Sequence, residues 1–145
     1  MRHTVNETQR YVISLACDVQ NGDVSAATLA VLMELGFQSC TDGFGYLRKS
    51  ICMKCLYPDM KIAAIYHEIV RVSGPGVSYN QVEQAIFTSI ENAWTNRDRE
   101  QWDYFFSESV MGSSKKPTNK QFICQIAVFM ELWCSHCKEV VYGTK

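Results

Sequence analysis

Asn80, Gln81 and Gln84 are amide side chains clustered in one short stretch, followed closely by Phe87 and Thr88. Asn and Gln pair bidentately with adenine N6/N7 in a DNA major groove, Thr serves any base, and an apolar ring can meet a thymine methyl. The chemistry these five residues offer is base-edge recognition. The stretch around them, Ser78 to Trp94, contains no Lys or Arg, and its acids Glu83 and Glu91 give it a formal charge of −2. Phosphate anchoring must then come from elsewhere. The segment Gly112–Lys120 supplies Lys115, Lys116 and Lys120 with no acid among them. Taken alone, those lysines read more simply as a solvated loop.

The cysteines are the other candidate. Cys52-Met-Lys-Cys55 and Cys134-Ser-His-Cys137 are both C-x-x-C pairs, and two such pairs can hold a tetrahedral zinc ion. Cys55 and Cys134 are about 80 residues apart, far beyond ribbon or finger spacing. Both pairs fall in helical patterns, where i and i+3 share a face. Small buried thiols explain them more simply, and no cofactor is expected. Enzyme signatures are missing: there is no Gly-rich phosphate loop, no G-x-S-x-G and no H-E-x-x-H. His3, His67 and His136 are scattered, and the carboxylates form no pair framed by apolar residues.

The elements that must position these residues read as helices. Apolar residues recur at three- and four-residue spacing almost throughout, and no alternating strand stands out. A first helix is expected over Thr4–Val19, with Tyr11, Val12, Leu15 and Val19 as its stripe, broken by Asn21-Gly22-Asp23. Ser25–Leu35 follows, with Leu29, Leu32, Met33 and Leu35 apolar and Gly36 at the C-cap. Cys40–Gly45 reads as a loop, Tyr46–Leu56 as a helix, and Tyr57-Pro58-Asp59 as a break. Lys61–Val72 places Ile62, Ile65, Ile69 and Val72 inward, before the turn Ser73-Gly74-Pro75-Gly76-Val77.

Ser78 and Gln81 form a capping box. Behind them Val82, Ala85, Ile86, Ile90, Ala93 and Trp94 make one apolar face, with the amides opposite. Thr95–Phe106 reads as a shorter helix. Thr118 and Gln121 repeat the capping box and open a last helix with the stripe Phe122, Ile126, Met130, Trp133 and Cys137. Two helices joined by a short Gly-containing turn suit a helix-turn-helix, and they suit an ordinary helical hairpin as well.

The expected fold is all-α. Residues 1–24 read as a helical extension, 25–138 as the domain, and 139–145 as a frayed end. At 145 residues, 47% hydrophobic and 20% charged, the chain has the size and composition of one globular domain. A net charge of −1 and a pI near 6.3 give no global support for nucleic-acid binding, though a local basic face can coexist with them. No run of about 18 apolar residues exists, and the N-terminus has no apolar signal core. A cytoplasmic protein with seven reduced cysteines is the expectation.

Four blocks carry a family resemblance: Leu32-Met33-Glu34-Leu35-Gly36-Phe37, Gly43-Phe44-Gly45-Tyr46-Leu47-Arg48, Val82 to Trp94, and Lys116-Pro117-Thr118-Asn119 with Phe122-Ile123. Their order resembles the C-terminal DNA-binding (effector) domain of the stage zero sporulation protein A family. The resemblance implies an all-α bundle of about six helices. It further implies a helix-turn-helix that reads tandem sites on double-stranded DNA as a dimer and acts on transcription. Two departures stand out. The family places a phosphorylatable receiver domain ahead of this one, where about 24 residues stand here. And where its reading helix carries Arg, Arg, Arg and His, this chain has Gln81, Gln84, Phe87 and Thr88. Two functions follow as expectations. One is a transcription regulator with altered DNA specificity. The other is an interaction module that pairs with itself or a related regulator through Phe87.

Overall fold

A computed structural model of the chain describes residues 24–112 and 115–141, with the side chains of Val110 and of residues 133–141 outside that description. The helix expected over Thr4–Val19 therefore lies outside the described residues, as do the side chains of Trp133 and Cys137. Among the described residues there are seven helices and no strand. They are α1 (Val24–Glu34), α2 (Asp42–Leu56), α3 (Ile62–Ser73), α4 (Tyr79–Thr95), α5 (Arg99–Phe106), α6 (Glu108–Met111) and α7 (Asn119–Val141). Only α6 is a single turn, so the expectation of an all-α bundle of about six helices holds.

Helix α1 stops where Gly36 takes φ +89°. The Gly36 amide donates to Met33 O at 3.1 Å and the Phe37 amide to Leu32 O at 3.0 Å, the paired bonds of a Schellman cap. The cap turns Phe37 into the core beside Leu32. There it meets Trp102 and Phe122, with ring centroids 6.1 and 5.3 Å away. The Trp102 indole Nε1–H donates to Leu35 O at 3.0 Å, which fastens α5 to the end of α1.

Helix α2 is the hub and packs against α1, α3, α4 and α7. It begins earlier than expected. Residues 42–45, read as loop, form its first turn, and Thr41 caps it by accepting the Phe44 amide on Oγ1 at 3.2 Å. Glycine disfavours helix by about 1 kcal/mol, which is why Gly43 and Gly45 read as loop. Packing reverses that preference at Gly43. A Cβ there would sit 2.3 Å from the Ala85 carbonyl oxygen and 2.2 Å from Ser89 Oγ. Only glycine lets α2 and α4 approach this closely.

The core is built from the expected stripes with local corrections. Ile65, Tyr66 and Ile69 of α3 are buried, whereas Val72 faces out at the last turn. In α1 the buried residues are Ala27, Thr28, Val31 and Leu32, and Met33 points to solvent. On α7 Ile123 joins Phe122, Ile126 and Met130 inside. The expected Thr95–Phe106 helix divides: α4 runs through Thr95, and Asp98 starts α5 by accepting the Glu100 amide at 3.0 Å. No helix among the described residues is long and apolar enough to cross a membrane.

Candidate nucleic-acid interface

Helices α3 and α4 form the helix-turn-helix. The turn between them needs Gly74 and Gly76 at φ +88° and +93°, a region that L side chains avoid. Helix α4 then starts on a complete capping box. Ser78 Oγ accepts the Gln81 amide at 3.2 Å, and Gln81 Oε1 accepts the Ser78 amide at 2.7 Å. Tyr79 stacks edge-on to buried Tyr66 at 5.4 Å and lies 4.8 Å from the exposed His67 ring, pinning the start of α4 to α3. Val82, Ile86, Ile90 and Ala93 anchor the inner face, with Ala85 and Trp94 half-buried.

Asn80, Gln81, Gln84, Phe87 and Thr88 are all exposed along the outer face. The structure divides them. Gln81, Gln84 and Thr88 line an open groove of about 430 Å³ whose far wall is Thr41, Asp42 and Gly43 at the start of α2. Asn92 and Ser89 continue the α4 wall. Phe87 stands on the opposite flank, 46% exposed, with Lys116 Nζ 4.2 Å above its ring. Gln81 is also held by the cap. With Oε1 committed there, its side chain offers bases a donor only, and bidentate pairing with adenine requires giving up the cap.

The basic loop lies against this helix. Lys116 pairs with Glu91 as well as covering Phe87, so one of the two negative charges on α4 is neutralised in place. The Asn119 side chain donates to Glu83 O at 3.1 Å and ties the start of α7 to α4. Thr118 and Gln121 complete the second capping box, at 3.1 and 3.0 Å. Lys115 and Lys120 are exposed on either side of this anchor. The lysines therefore separate by role: Lys116 turns inward onto α4, and Lys115 and Lys120 face solvent.

Two arginines near the motif have partners of their own. Arg71 at the end of α3 pairs with Glu68, its Nε 3.0 Å from Oε1. This contact holds the half-buried Glu68 carboxyl below, and the Arg71 guanidinium above, their ordinary ranges. Arg97 stacks on Trp94 at 3.6 Å and donates to its carbonyl at 2.8 Å. Thr41 and Asp42 were missed by sequence reasoning, because nothing in the spacing of the chain links position 41 to position 84, whereas Asn92, one turn beyond Thr88 on the same helix, could have been found from helical spacing.

The cysteines meet a different environment. Burial raises the Cys52 thiol, whose Sγ lies 3.8 Å from Thr28 Oγ1. Burial, with Cys52 and Glu131 nearby, pushes Cys55 up to about 12. Both thiols are therefore held in the protonated form in the metal-free chain. Among the described residues no group of three or more His, Cys, Asp or Glu is placed to hold an ion. The side chains of Cys134 and Cys137 lie outside them.

The family model described as "sporulation initiation factor Spo0A C terminal" matches residues 28–130. The match spans 103 of 145 positions and runs from the second turn of α1 to about the middle of α7, including the helix-turn-helix and the lysine loop. This is a family of helical DNA-binding effector domains of sporulation regulators, and the chain belongs to it.

Proposed function

We propose that this chain is a transcription regulator that binds double-stranded DNA through α4 with a specificity shifted away from guanine-rich, arginine-read sites. Asn80, Gln84 and Thr88 face bases, Gln81 contributes a donor, Phe87 meets a thymine methyl, and Lys115 and Lys120 hold phosphates. One observation carries the reading: Lys116 cancels the Glu91 charge on the outer face of α4. Of the two acids of α4 that leaves Glu83, beside amides, a hydroxyl and a ring suited to base edges.

Selection of bound duplex from a random pool, followed by a salt titration, tests this. An A·T-enriched motif is expected. Two phosphate contacts give a slope of log K against log[salt] near −2, from about 0.9 per contact. An empty selection together with undetectable binding at low salt overturns the proposal.

A second reading is favoured by the exposure of Phe87. A large exposed ring on the flank of an otherwise polar helix surface suits a protein partner, either a second copy or a related regulator. Phe87→Asp then disrupts self-association or partner binding. If oligomeric state and partner binding are unchanged in that variant, this reading fails.

A further inference from the structure

A cleft of about 440 Å³ opens on a part of the molecule that shares no lining residue with the α4 groove. It is walled by Val24 at the start of α1, Cys55 and Pro58 at the end of α2, and Cys124, Val128 and Met130 on α7. Apolar surface continues beyond it. Val128 and Leu132, one turn apart on α7, are 47% and 57% exposed, and Leu56 and Tyr57 adjoin Cys55 and Pro58 in the chain and are exposed as well. Two charged residues, Lys54 and Glu131, also line the cleft, and Lys54 is engaged locally, its Nζ bound to Pro58 O at 2.9 Å and Met60 O at 2.8 Å. A contiguous apolar surface of this kind marks a docking site.

We propose that this cleft is the seat of the chain's own residues 4–19. Three observations support that occupant. Val24 lines the cleft, so the segment before it enters at the rim. Asn21-Gly22-Asp23, immediately upstream, is a turn sequence that lets the chain double back. And Tyr11, Val12, Leu15 and Val19 make an apolar stripe at helical spacing, which needs a packed partner to be stable in water. A tether this short gives the segment an effective concentration in the millimolar range. The chain's own copy therefore prevails over that of a second molecule.

The test uses the full chain with the photo-crosslinking residue benzoylphenylalanine in place of Leu15, prepared in ¹⁴N and ¹⁵N forms and irradiated as a mixture. Crosslinks are expected within single chains, to peptides containing Cys55–Pro58 or Cys124–Met130. Val128→Asp, which places a charge in the cleft, should lose most of that product. Mixed-isotope crosslinks would assign the cleft to a second copy and overturn the proposal. Crosslinks elsewhere in the chain, or none, would overturn it too.

Discussion

Gly43→Ala places a single methyl between α2 and α4, and the structure says what that methyl meets. Ser89 Oγ, 2.2 Å away, belongs to a side chain that can rotate aside. The Ala85 carbonyl oxygen at 2.3 Å and its carbon at 2.9 Å belong to the backbone of α4 and cannot move alone. The helices must separate, and overpacking of this kind costs about 1–3 kcal/mol. Alanine returns up to about 1 kcal/mol through its higher helix propensity. A net loss of about 1–2 kcal/mol is expected, which lowers Tm by roughly 3–8 °C for a domain of this size.

Gly45→Ala is the internal control. It lies two positions along in the same helix with nothing within 4 Å of its Cβ position. It should therefore be neutral or stabilising by up to about 1 kcal/mol. Paired denaturant melts of the two variants measure the difference. A Gly43→Ala protein as stable as its parent, or both variants moving in the same direction, would refute close helix–helix contact as the reason for glycine at position 43. Because Gly43 also forms the far wall of the groove, Gly43→Ala should alter DNA affinity more than Gly45→Ala does.

Three further outcomes are expected. Lys116→Ala removes the ion pair with Glu91 and the cation over Phe87; exposed pairs and cation–π contacts are each worth at most about 1 kcal/mol, so stability should fall only slightly. DNA binding, measured by anisotropy, should weaken because α4 regains its full negative charge. Trp102→Phe shrinks a buried indole to a phenyl ring and leaves Leu35 O without its donor, and calorimetry should show a loss of about 1–3 kcal/mol from the missing donor with the vacated volume adding to it. Burial, with Glu83 and Tyr79 nearby, pushes the Tyr66 phenol to about 12 from an ordinary 10.0. The folded state thus keeps its proton where the unfolded state releases it, so this contribution is intact below pH 10 and is lost as pH rises from 10 through 12. Denaturant melts across that window should show a smaller decline in Tyr66→Phe than in the parent.

Features that depend on residues three or four apart were legible in the sequence. Both capping boxes, the Gly36 helix end and the inner stripe of α4 formed as the local pattern required, because a cap or a stripe is set by backbone hydrogen bonds and side-chain period within one helix. The same pattern held a conflict: Gln81 reads both as cap and as base contact, and the 2.7 Å bond from the Ser78 amide shows which role its carbonyl takes in the free protein.

Tertiary structure alone decided the rest. Gly43 reads as a loop residue until α4 is placed against it. Met33 and Val72 sit near the apolar stripes, and only neighbouring helices settle that they face out. Lys116, drawn from the sequence as one of three equivalent loop cations, folds back 25 positions in the chain to pair with Glu91. The groove that joins Thr41 and Asp42 to Gln84 and Thr88 depends on how α2 crosses α4. Local hydrogen bonding and helical period are properties of neighbouring residues, whereas close approach, charge pairing and groove shape arise only when distant segments pack together.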